Sequence, residues 1–310
     1  MSALFAGIDV GGTSMKSLVV DQSGGVINHI TFATRPRALS QISALATDLV
    51  AHYPSVAGIG IVVPGTVDEK NGTVGYASNL DLARINIPEA VTHACGRPTK
   101  LGHDGRGAGL AENLFGAAHG SRSSVVIPIG TGISASLHFP GLVWPGFTHQ
   151  SGEIGHIPVY VDGEPCACGQ FGCLEVYSSA KGIASRYEAA TGISTSAAHV
   201  QELRGSDPIA DAVWNKAIEA LSLVLAQITL TLDPECIVIG GGLSGAGEAL
   251  LRPLRDALTA RLEWRTPPRL VGSALGDSAG LWGAAVLGCE ASGSDAFLSW
   301  KPEPYRQQGH

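Results

Sequence analysis

The chain has 310 residues, a formal net charge of −7 and 45% hydrophobic residues, so its length fits two domains or one large one. Charged residues make up only 15%, which argues against a disordered chain, and the 41 glycines follow no G-X-Y period, which excludes collagen. The small excess of acidic residues is spread along the chain, and no cluster of basic residues occurs. We therefore expect no nucleic-acid partner.

The chain also lacks the sequence features of a membrane protein or an exported protein. No stretch reaches the ~18–20 uninterrupted apolar residues of a membrane span. The N-terminus has no basic region and meets Asp9 too early for a signal peptide. We therefore expect a cytosolic protein with reduced cysteines and no membrane partner.

In chain order, predicted strands are interleaved with predicted helices. Apolar runs bounded by Gly, Pro or Asp predict strands over residues 4–10, 14–21, 26–34, 56–65, 99–104, 123–130, 133–139 and 236–242. Helical spacing of apolar residues predicts helices over residues 38–52, 88–96, 105–120, 178–190, 208–232, 245–262 and 279–289. Residues 142–176 form an irregular stretch rich in Gly, Pro and Cys.

A strand, a glycine turn and a second strand occur twice, at residues 4–20 and again at 124–138. Two such α/β blocks predict a two-domain α/β fold with a ligand cleft between the domains. We place the boundary near residue 118. This predicts a small N-terminal domain over residues 1–118 and a larger domain over 119–295, with the tail, 296–310, returning to the first domain.

Three glycine turns at strand ends are candidate phosphate sites: Asp9-Val10-Gly11-Gly12-Thr13, Gly130-Thr131-Gly132 and Gly240-Gly241-Gly242. Glycines let backbone N–H groups approach an anion with no Cβ in the way. Asp9 would repel bare phosphate, so its expected role is to hold a metal ion. A single such turn is also typical of an ordinary hairpin, but three in this order favour ATP.

Cys166, Cys168 and Cys173 follow His156 closely in the irregular stretch. Three thiolates and one imidazole form a Cys₃His set, which is typical of a closed, tetrahedral structural zinc site. Three incidental buried cysteines are the alternative. The acidic residues that flank this loop, Glu153 and Glu175, are either surface carboxylates or rigidly held partners for sugar hydroxyls.

Asp104 lies between a predicted strand and a predicted helix, next to His103. It is either the N-cap of that helix or the base that takes a proton from an attacking hydroxyl. The two roles are compatible.

Together these motifs resemble the ROK family (repressor, open reading frame, kinase), and the overall pattern is most similar to its bacterial ATP-dependent, zinc-containing glucokinases. The resemblance covers nearly the whole chain. The segments that carry it are IDVGGT at 8–13, VVPGTVD at 62–68, ASNL at 77–80, GTGI at 130–133, GEIGH at 152–156, CACGQFGCLE at 166–175 and LDPECIVIGGGLS at 232–244.

The resemblance implies an actin/hexokinase-like fold of two ribonuclease-H-like domains. It implies transfer of the γ-phosphoryl group of Mg-ATP to the 6-hydroxyl of a hexose, with Asp104 as general base and glucose as the expected sugar. It also implies a homodimer. The implied sugar contacts are Asn79, Glu153, His156, which also binds zinc, and Glu175. The implied nucleotide contacts are Gly11, Gly12, Thr13, Thr131, Gly132, Gly241 and Gly242, with Asp9 near Mg²⁺.

The chain departs from the family around the expected base. Most family kinases read N-D-A-N there, whereas this chain reads His103-Asp104-Gly105-Arg106. We expect His103 to replace Asn as a sugar contact, with an exposed histidine beside the cleft as the alternative. N-acetylmannosamine, N-acetylglucosamine and mannose therefore stay open as substrates.

A regulator is the competing class of function. ROK repressors carry a winged helix before the first phosphate loop, which here begins within ten residues of Met1. A sugar sensor without catalysis is the remaining alternative, and the intact Asp9 and Asp104 argue against it. Relatives that use polyphosphate tend to lack the cysteine loop, so we expect ATP as the donor.

Overall fold

The computed structural model describes residues 2–76 and 80–302 of the chain. These residues form two compact units. Unit 1 comprises the described residues up to His119, the segment Val143–Ser151 and the described residues from Ser278 onward. Unit 2 comprises Gly120–Leu142 and Gly152–Asp277. Asn79, an expected sugar contact, lies outside the described residues.

Unit 1 is built on a sheet with the strand order β3-β2-β1-β4-β7. Its strands, with a following hairpin β5-β6, are β1 (Leu4–Val10), β2 (Ser14–Asp21), β3 (Val26–Ala33), β4 (Val56–Val63), β5 (Thr66–Asp68), β6 (Thr73–Tyr76) and β7 (Thr99–His103). β1, β2 and β3 pair antiparallel, while β4 and β7 run parallel to β1. Its helices are α1 (Ala38–His52), α2 (Ile87–Cys95), α3 (Asp104–Leu114) and α9 (Ala279–Ala291).

The two faces of the central strands carry different residues. In β1, Ile8 is buried in an apolar core with Ile42 of α1 and Ile59 of β4. Successive residues of a strand point to opposite faces, so Gly7 and Gly60 belong to the other face. A Cβ on Gly60 would lie 1.9 Å from the carbonyl oxygen of Ala284 in α9. The backbone of α9 therefore packs directly on the sheet where side chains are missing.

Unit 2 contains the second sheet, whose strand order is β10-β9-β8-β11-β12. Its strands are β8 (Ser124–Pro128), β9 (Ser136–Phe139), β10 (Leu142–Val143), β11 (Cys236–Gly240) and β12 (Arg269–Gly272). β8, β11 and β12 run parallel, and β9 pairs antiparallel with β8. Its helices are α4 (Leu174–Ser178), α5 (Ala180–Thr191), α6 (Ala197–Glu202), α7 (Pro208–Leu232) and α8 (Glu248–Arg261).

The long helix α7 has clear local start and stop signals. The side chain of Asp207 accepts a hydrogen bond from the Ile209 N–H at 2.8 Å, and Pro208 occupies the first turn. The helix ends at Asp233, whose φ of 47° is left-handed. Within the described part of the chain, no helix is both long enough and apolar enough to cross a membrane.

Unit 1 takes in two stretches that the predicted division assigned to the second domain, residues 143–151 and 278–295. The second stretch contains α9, whose small residues fit the glycine face of the unit 1 sheet. The described start of the tail also packs there, since Trp300 contacts the rings of Phe5 and Phe115. The division at residue 118 stays a prediction for the domains.

The helix predicted over residues 105–120 ends six residues early, at Leu114. The N–H of Gly116 bonds the Glu112 carbonyl, and the Glu112 carboxylate accepts the Ala117 N–H at 2.7 Å. Because the carboxylate of Glu112 is buried and satisfied there, the chain turns away from the helix axis.

Gly60→Ala is expected to destabilise the protein strongly, because the new methyl group would overlap the Ala284 carbonyl and α9 would have to shift. Overpacking of this kind costs ~1–3 kcal/mol. Urea unfolding followed by fluorescence measures the loss. The control is Gly245→Ala, where a Cβ meets nothing within 4 Å; it should change the free energy of unfolding by less than ~0.5 kcal/mol. Equal stabilities of the two variants would contradict this packing.

Candidate active site

In unit 1, the turn between β1 and β2 is the first predicted phosphate site. The Gly11 N–H donates to the Ser14 carbonyl at 2.8 Å, and Thr34 Oγ1 donates to the Gly11 carbonyl at 2.7 Å. These bonds hold the turn from both sides. Gly12 and Thr13, at its tip, are exposed and accessible to a ligand.

Asp9 precedes this turn on β1, on the sheet face that α9 covers. Burial and, to a smaller extent, the nearby Asp104 carboxylate raise the pKa of its carboxyl group to about 6, against an opposing effect of Lys16. Lys16 is the residue directly opposite Asp9 on β2. Two acidic groups that interact this way favour a bound cation, which would stabilise both in the ionised form.

Asp104 is the first residue of α3, directly after β7, and its side chain is 42% exposed. Its Oδ1 accepts a hydrogen bond from the Gly105 N–H at 2.6 Å. The N-cap of the helix is His103, whose Nδ1 accepts the Arg106 N–H at 3.3 Å. His103 is buried, in contrast to the alternative of an exposed histidine. The carboxylate of Asp104 is therefore accessible for proton transfer.

In unit 2, the Gly130-Thr131-Gly132 turn is tied to the end of the cysteine loop. The Gly130 N–H donates to the Gly132 carbonyl at 2.9 Å, closing the turn. Glu175 Oε2 accepts the Ile133 N–H at 3.0 Å, and a Cβ on Gly132 would lie 2.6 Å from that oxygen. Glu175 thus holds the Gly130-Thr131-Gly132 turn directly, a role that the sequence did not indicate.

The third glycine turn lies against the second. Gly241 has a φ of 73°, and a Cβ there would lie 2.5 Å from the Ile129 carbonyl oxygen. The Leu243 N–H donates to that same oxygen at 3.1 Å. Because β8 and β11 are parallel, their carboxyl ends share one edge of the sheet, where α/β proteins bind ligands. Two of the three predicted phosphate sites therefore meet in unit 2.

The GEIGH segment packs on the same turn through its two glycines. A Cβ on Gly152 would lie 1.9 Å from the Ala135 carbonyl oxygen, and one on Gly155 would lie 2.5 Å from that of Ile133. The Ala135 N–H also donates to the Gly152 carbonyl at 2.7 Å. Glu153, between the glycines, is exposed. The segment thus keeps its acidic side chain accessible beside the phosphate turn.

His156, Cys166, Cys168 and Cys173 come together at the end of this segment, with their ligand atoms all within 4.8 Å of one another. The Sγ atoms of Cys168 and Cys173 are 3.7 Å apart, and Cys166 Sγ lies 3.8 Å from His156 Nδ1. A tetrahedron with Zn–S bonds of ~2.3 Å has edges of about 3.8 Å. The four side chains therefore have the spacing of a tetrahedral zinc site.

The pKa values of the cysteine thiols in this cluster also agree with a metal site. Burial, followed by the neighbouring thiols, raises the pKa of Cys173 to about 12, while the backbone N–H of Gln170 lowers the pKa of Cys168. Thiols this close are thiolates together only beside a cation. His156 turns Nδ1 toward Cys166 Sγ, so Nδ1 is the ring nitrogen that faces the thiols.

Sequence reasoning missed one pair near Asp104. Arg106, only 4% exposed, donates from Nε to Glu69 Oε1 at 2.9 Å. The sequence did contain one indication of Arg106: this charged residue stands at the last position of the N-D-A-N pattern, where most family kinases carry Asn. Nothing in the sequence indicated Glu69 as its partner.

Comparison with known proteins gives one consistent result. The sequence profile of the ROK family matches residues 5–290. A glucokinase of Streptomyces coelicolor is 27% identical, over 93% of this chain and 98% of its own. An N-acetylgalactosamine kinase of Shewanella sp. is 28% identical, over 96% of this chain and 100% of its own.

A solved structure agrees with these matches. A ROK family glucokinase from Streptomyces griseus, in complex with glucose and AMPPNP, has a TM-score of 0.80 and 30% identity. The similarity covers 93% of this chain and 100% of that one. The predicted α/β fold of the hexokinase type and the predicted family resemblance are both confirmed.

Asp9→Asn is expected to stabilise the magnesium-free protein at pH 8 but not at pH 4. The folded state keeps the proton on Asp9 up to about pH 6, whereas an unfolded chain releases it near 3.8. Stability therefore falls as pH rises between these values, and the ionised carboxylate costs stability above them. The gain at pH 8 is on the order of 1–3 kcal/mol.

Thermal unfolding at both pH values measures this difference. The control is Asp21→Asn at the end of β2. Hydrogen bonds from Ser23 lower the pKa of Asp21, so this variant should lose stability at pH 8. A change of the same sign in both variants would rule out the burial effect at Asp9.

Proposed function

The chain belongs to the ROK family, and from this membership and the residues of the two units we propose that it is an ATP-dependent hexose kinase. It transfers the γ-phosphoryl group of Mg-ATP to the 6-hydroxyl of a hexose. The observation that carries the proposal is the Asp104 carboxylate, half-exposed at the β7–α3 junction, with Oδ1 held by the Gly105 N–H. The glucose and AMPPNP in the Streptomyces griseus relative support it.

Asp104 is the proposed general base. As the hexose hydroxyl attacks phosphorus, its proton passes to the Asp104 carboxylate, and the bond to the leaving ADP oxygen breaks. Phosphoryl transfer depends mainly on positioning and charge neutralisation, so one oriented base is enough. The half-exposed side chain is accessible to a hydroxyl without rearrangement of α3.

The glycine turns are the proposed contacts for the nucleotide. In unit 1 the phosphate contacts are Gly11, Gly12 and Thr13; in unit 2 they are Thr131 and Gly132. Backbone N–H groups at these positions donate to phosphate oxygens. Gly241 and Gly242 are the proposed contacts for the nucleoside, at the carboxyl end of β11.

Mg²⁺ fits beside Asp9, because a carboxylate oxygen is a ligand that this hard cation prefers. The raised pKa of Asp9 agrees, since a buried carboxylate near a second one is favoured in its ionised form by a cation. Bound there, Mg²⁺ would neutralise charge on the phosphates. Asp9 then holds the ion, with the opposed Lys16 as a further positive charge.

Sugar hydroxyls are the proposed partners of Glu153, His156 and Glu175 in unit 2, and of His103 and Asn79. Glu175 has one oxygen on the Ile133 N–H, so its other oxygen is the one assigned to the sugar. His103 Nδ1 accepts the Arg106 N–H, and Nε2 lies 3.4 Å from Asp104 Oδ1. The imidazole at this position, where family kinases carry Asn, is the proposed specificity feature of this chain.

Glucose is the proposed hexose, in line with the glucokinases that this chain resembles. An N-acetylhexosamine is the second candidate, because an N-acetylgalactosamine kinase is equally similar in sequence. A homodimer and a cytosolic location remain predictions from the sequence.

Asp104→Asn is expected to lower kcat ~10²–10⁴-fold, because an amide takes no proton, and to leave the Kd for glucose within about tenfold. Coupled ADP release with glucose, mannose and N-acetylhexosamines measures kcat, and calorimetry measures sugar binding. The control is Asp48→Asn on α1, an exposed carboxylate that should leave kcat unchanged. A kcat loss below about tenfold removes Asp104 as the base; a parent that binds sugar without turnover is a sensor.

We also propose a structural zinc ion on His156, Cys166, Cys168 and Cys173, supported by their tetrahedral spacing. Four protein ligands leave no open position for water, so the ion stabilises the loop and takes no part in catalysis.

Metal analysis of the purified protein should give one zinc per chain. Cys173→Ser should lose that zinc and lower the Tm, because one ligand is gone and a buried site is left incomplete. Cys95→Ser, a half-buried cysteine on α2, should keep both the zinc and the Tm. A parent protein purified without zinc would contradict this assignment.

A further inference from the structure

Arg106 is a nearly buried cation in the first turn of α3, two residues after the proposed base. Its Nε donates to Glu69 Oε1 at 2.9 Å, and its Nη2 donates to the Val67 carbonyl at 3.0 Å. Removing a charge of this kind from water is costly unless it is paired and hydrogen-bonded. Both bonds reach the segment that follows β4, so they attach the start of α3 to it.

The same oxygen of Glu69 accepts a second hydrogen bond. Its Oε1 also accepts the backbone N–H of His103 at 3.1 Å. One carboxylate oxygen therefore holds both the residue before Asp104 and the guanidinium two residues after it. The backbone on both sides of Asp104 is anchored at one point.

The His103 ring extends this arrangement to the side chain of Asp104. Nδ1 accepts the Arg106 N–H at 3.3 Å, so the neutral ring carries its proton on Nε2. Nε2 lies 3.4 Å from Asp104 Oδ1, the oxygen that also accepts the Gly105 N–H. Oδ1 therefore accepts one hydrogen bond, from the Gly105 N–H, and lies beside the His103 ring.

We propose that Glu69, Arg106 and His103 are positioning residues for the proposed base. They hold Asp104 so that Oδ1 stays on the Gly105 N–H beside the His103 ring, and Oδ2 is the oxygen that takes the proton from the hexose hydroxyl. This inference rests on the proposed kinase function and gives His103 a role toward Asp104 in addition to the proposed sugar contact. It also accounts for an arginine at a position where family kinases carry Asn.

The test separates positioning from mere stability. Breaking a buried pair on one side leaves an uncompensated charge, so both members are replaced in Glu69→Met/Arg106→Met. With glucose and ATP, kcat per glucose-binding site should fall at least about fivefold, because a base displaced by a fraction of an ångström loses much of its rate. The Kd for glucose should stay within about twofold, a split that a folding defect would not produce.

A matched control uses the ion pair of Lys100 with Glu290, 3.1 Å apart, on the same strand as His103. Lys100→Met removes that pair without touching Asp104 and should leave kcat within about twofold.

His103→Ser gives an independent measurement if the double variant does not fold. Serine keeps an N-cap acceptor for the Arg106 N–H but is too short to reach Asp104. Its kcat should fall at least about fivefold. His103→Asn restores both an acceptor and a donor, and should recover much of the loss.

A loss below about fivefold in kcat, in an active parent, overturns the inference and leaves the proposed function standing. A parent that phosphorylates no hexose overturns the proposed function and this inference with it. If the kcat of His103→Asn does not exceed that of His103→Ser, the serine effect does not come from the lost contact with Asp104, and the inference is equally overturned.

Discussion

In unit 1, the carbonyl oxygen of Ala284 occupies the space that a Cβ on Gly60 would fill, and Gly7 meets the backbone of Ala285 in the same way. Helix and sheet approach each other this closely only where side chains are missing. The consequence reaches the site, because Asp9 follows Gly7 on the same face of β1 and is buried by the same helix. The raised pKa of Asp9 is thus a result of how α9 packs.

In unit 2 as well, glycines allow close contact between backbone segments. Gly152 and Gly155 let the GEIGH segment lie against the backbone of Ala135 and Ile133, and Gly241 lies against Ile129. These contacts join the cysteine loop, two glycine turns and an acidic residue into one group. A rigid backbone, rather than a set of long side chains, positions the polar groups that face a ligand.

Four charged residues of unit 1 lie around the start of α3. Only 15% of residues are charged, yet Asp9, Asp104, Glu69 and Arg106 lie close together in unit 1. The ion pair of the buried Arg106 with the partly exposed Glu69 ties the start of α3 to the segment after β4, next to the half-exposed carboxylate of Asp104.

The sequence by itself determined what depends on near neighbours: the glycine turns at strand ends, the Cys₃His spacing, the long helix α7 and Asp104 at a strand–helix junction. It missed the hairpin β5–β6, helix α6 and strand β12, because runs of three to six residues carry too little periodicity to be read. Only the tertiary structure decided that Glu175 holds the Ile133 N–H and that Glu69 pairs with Arg106, 37 positions away. Hydrogen bonds between distant segments depend on how the strands and helices pack against each other. No local sequence pattern therefore predicts them.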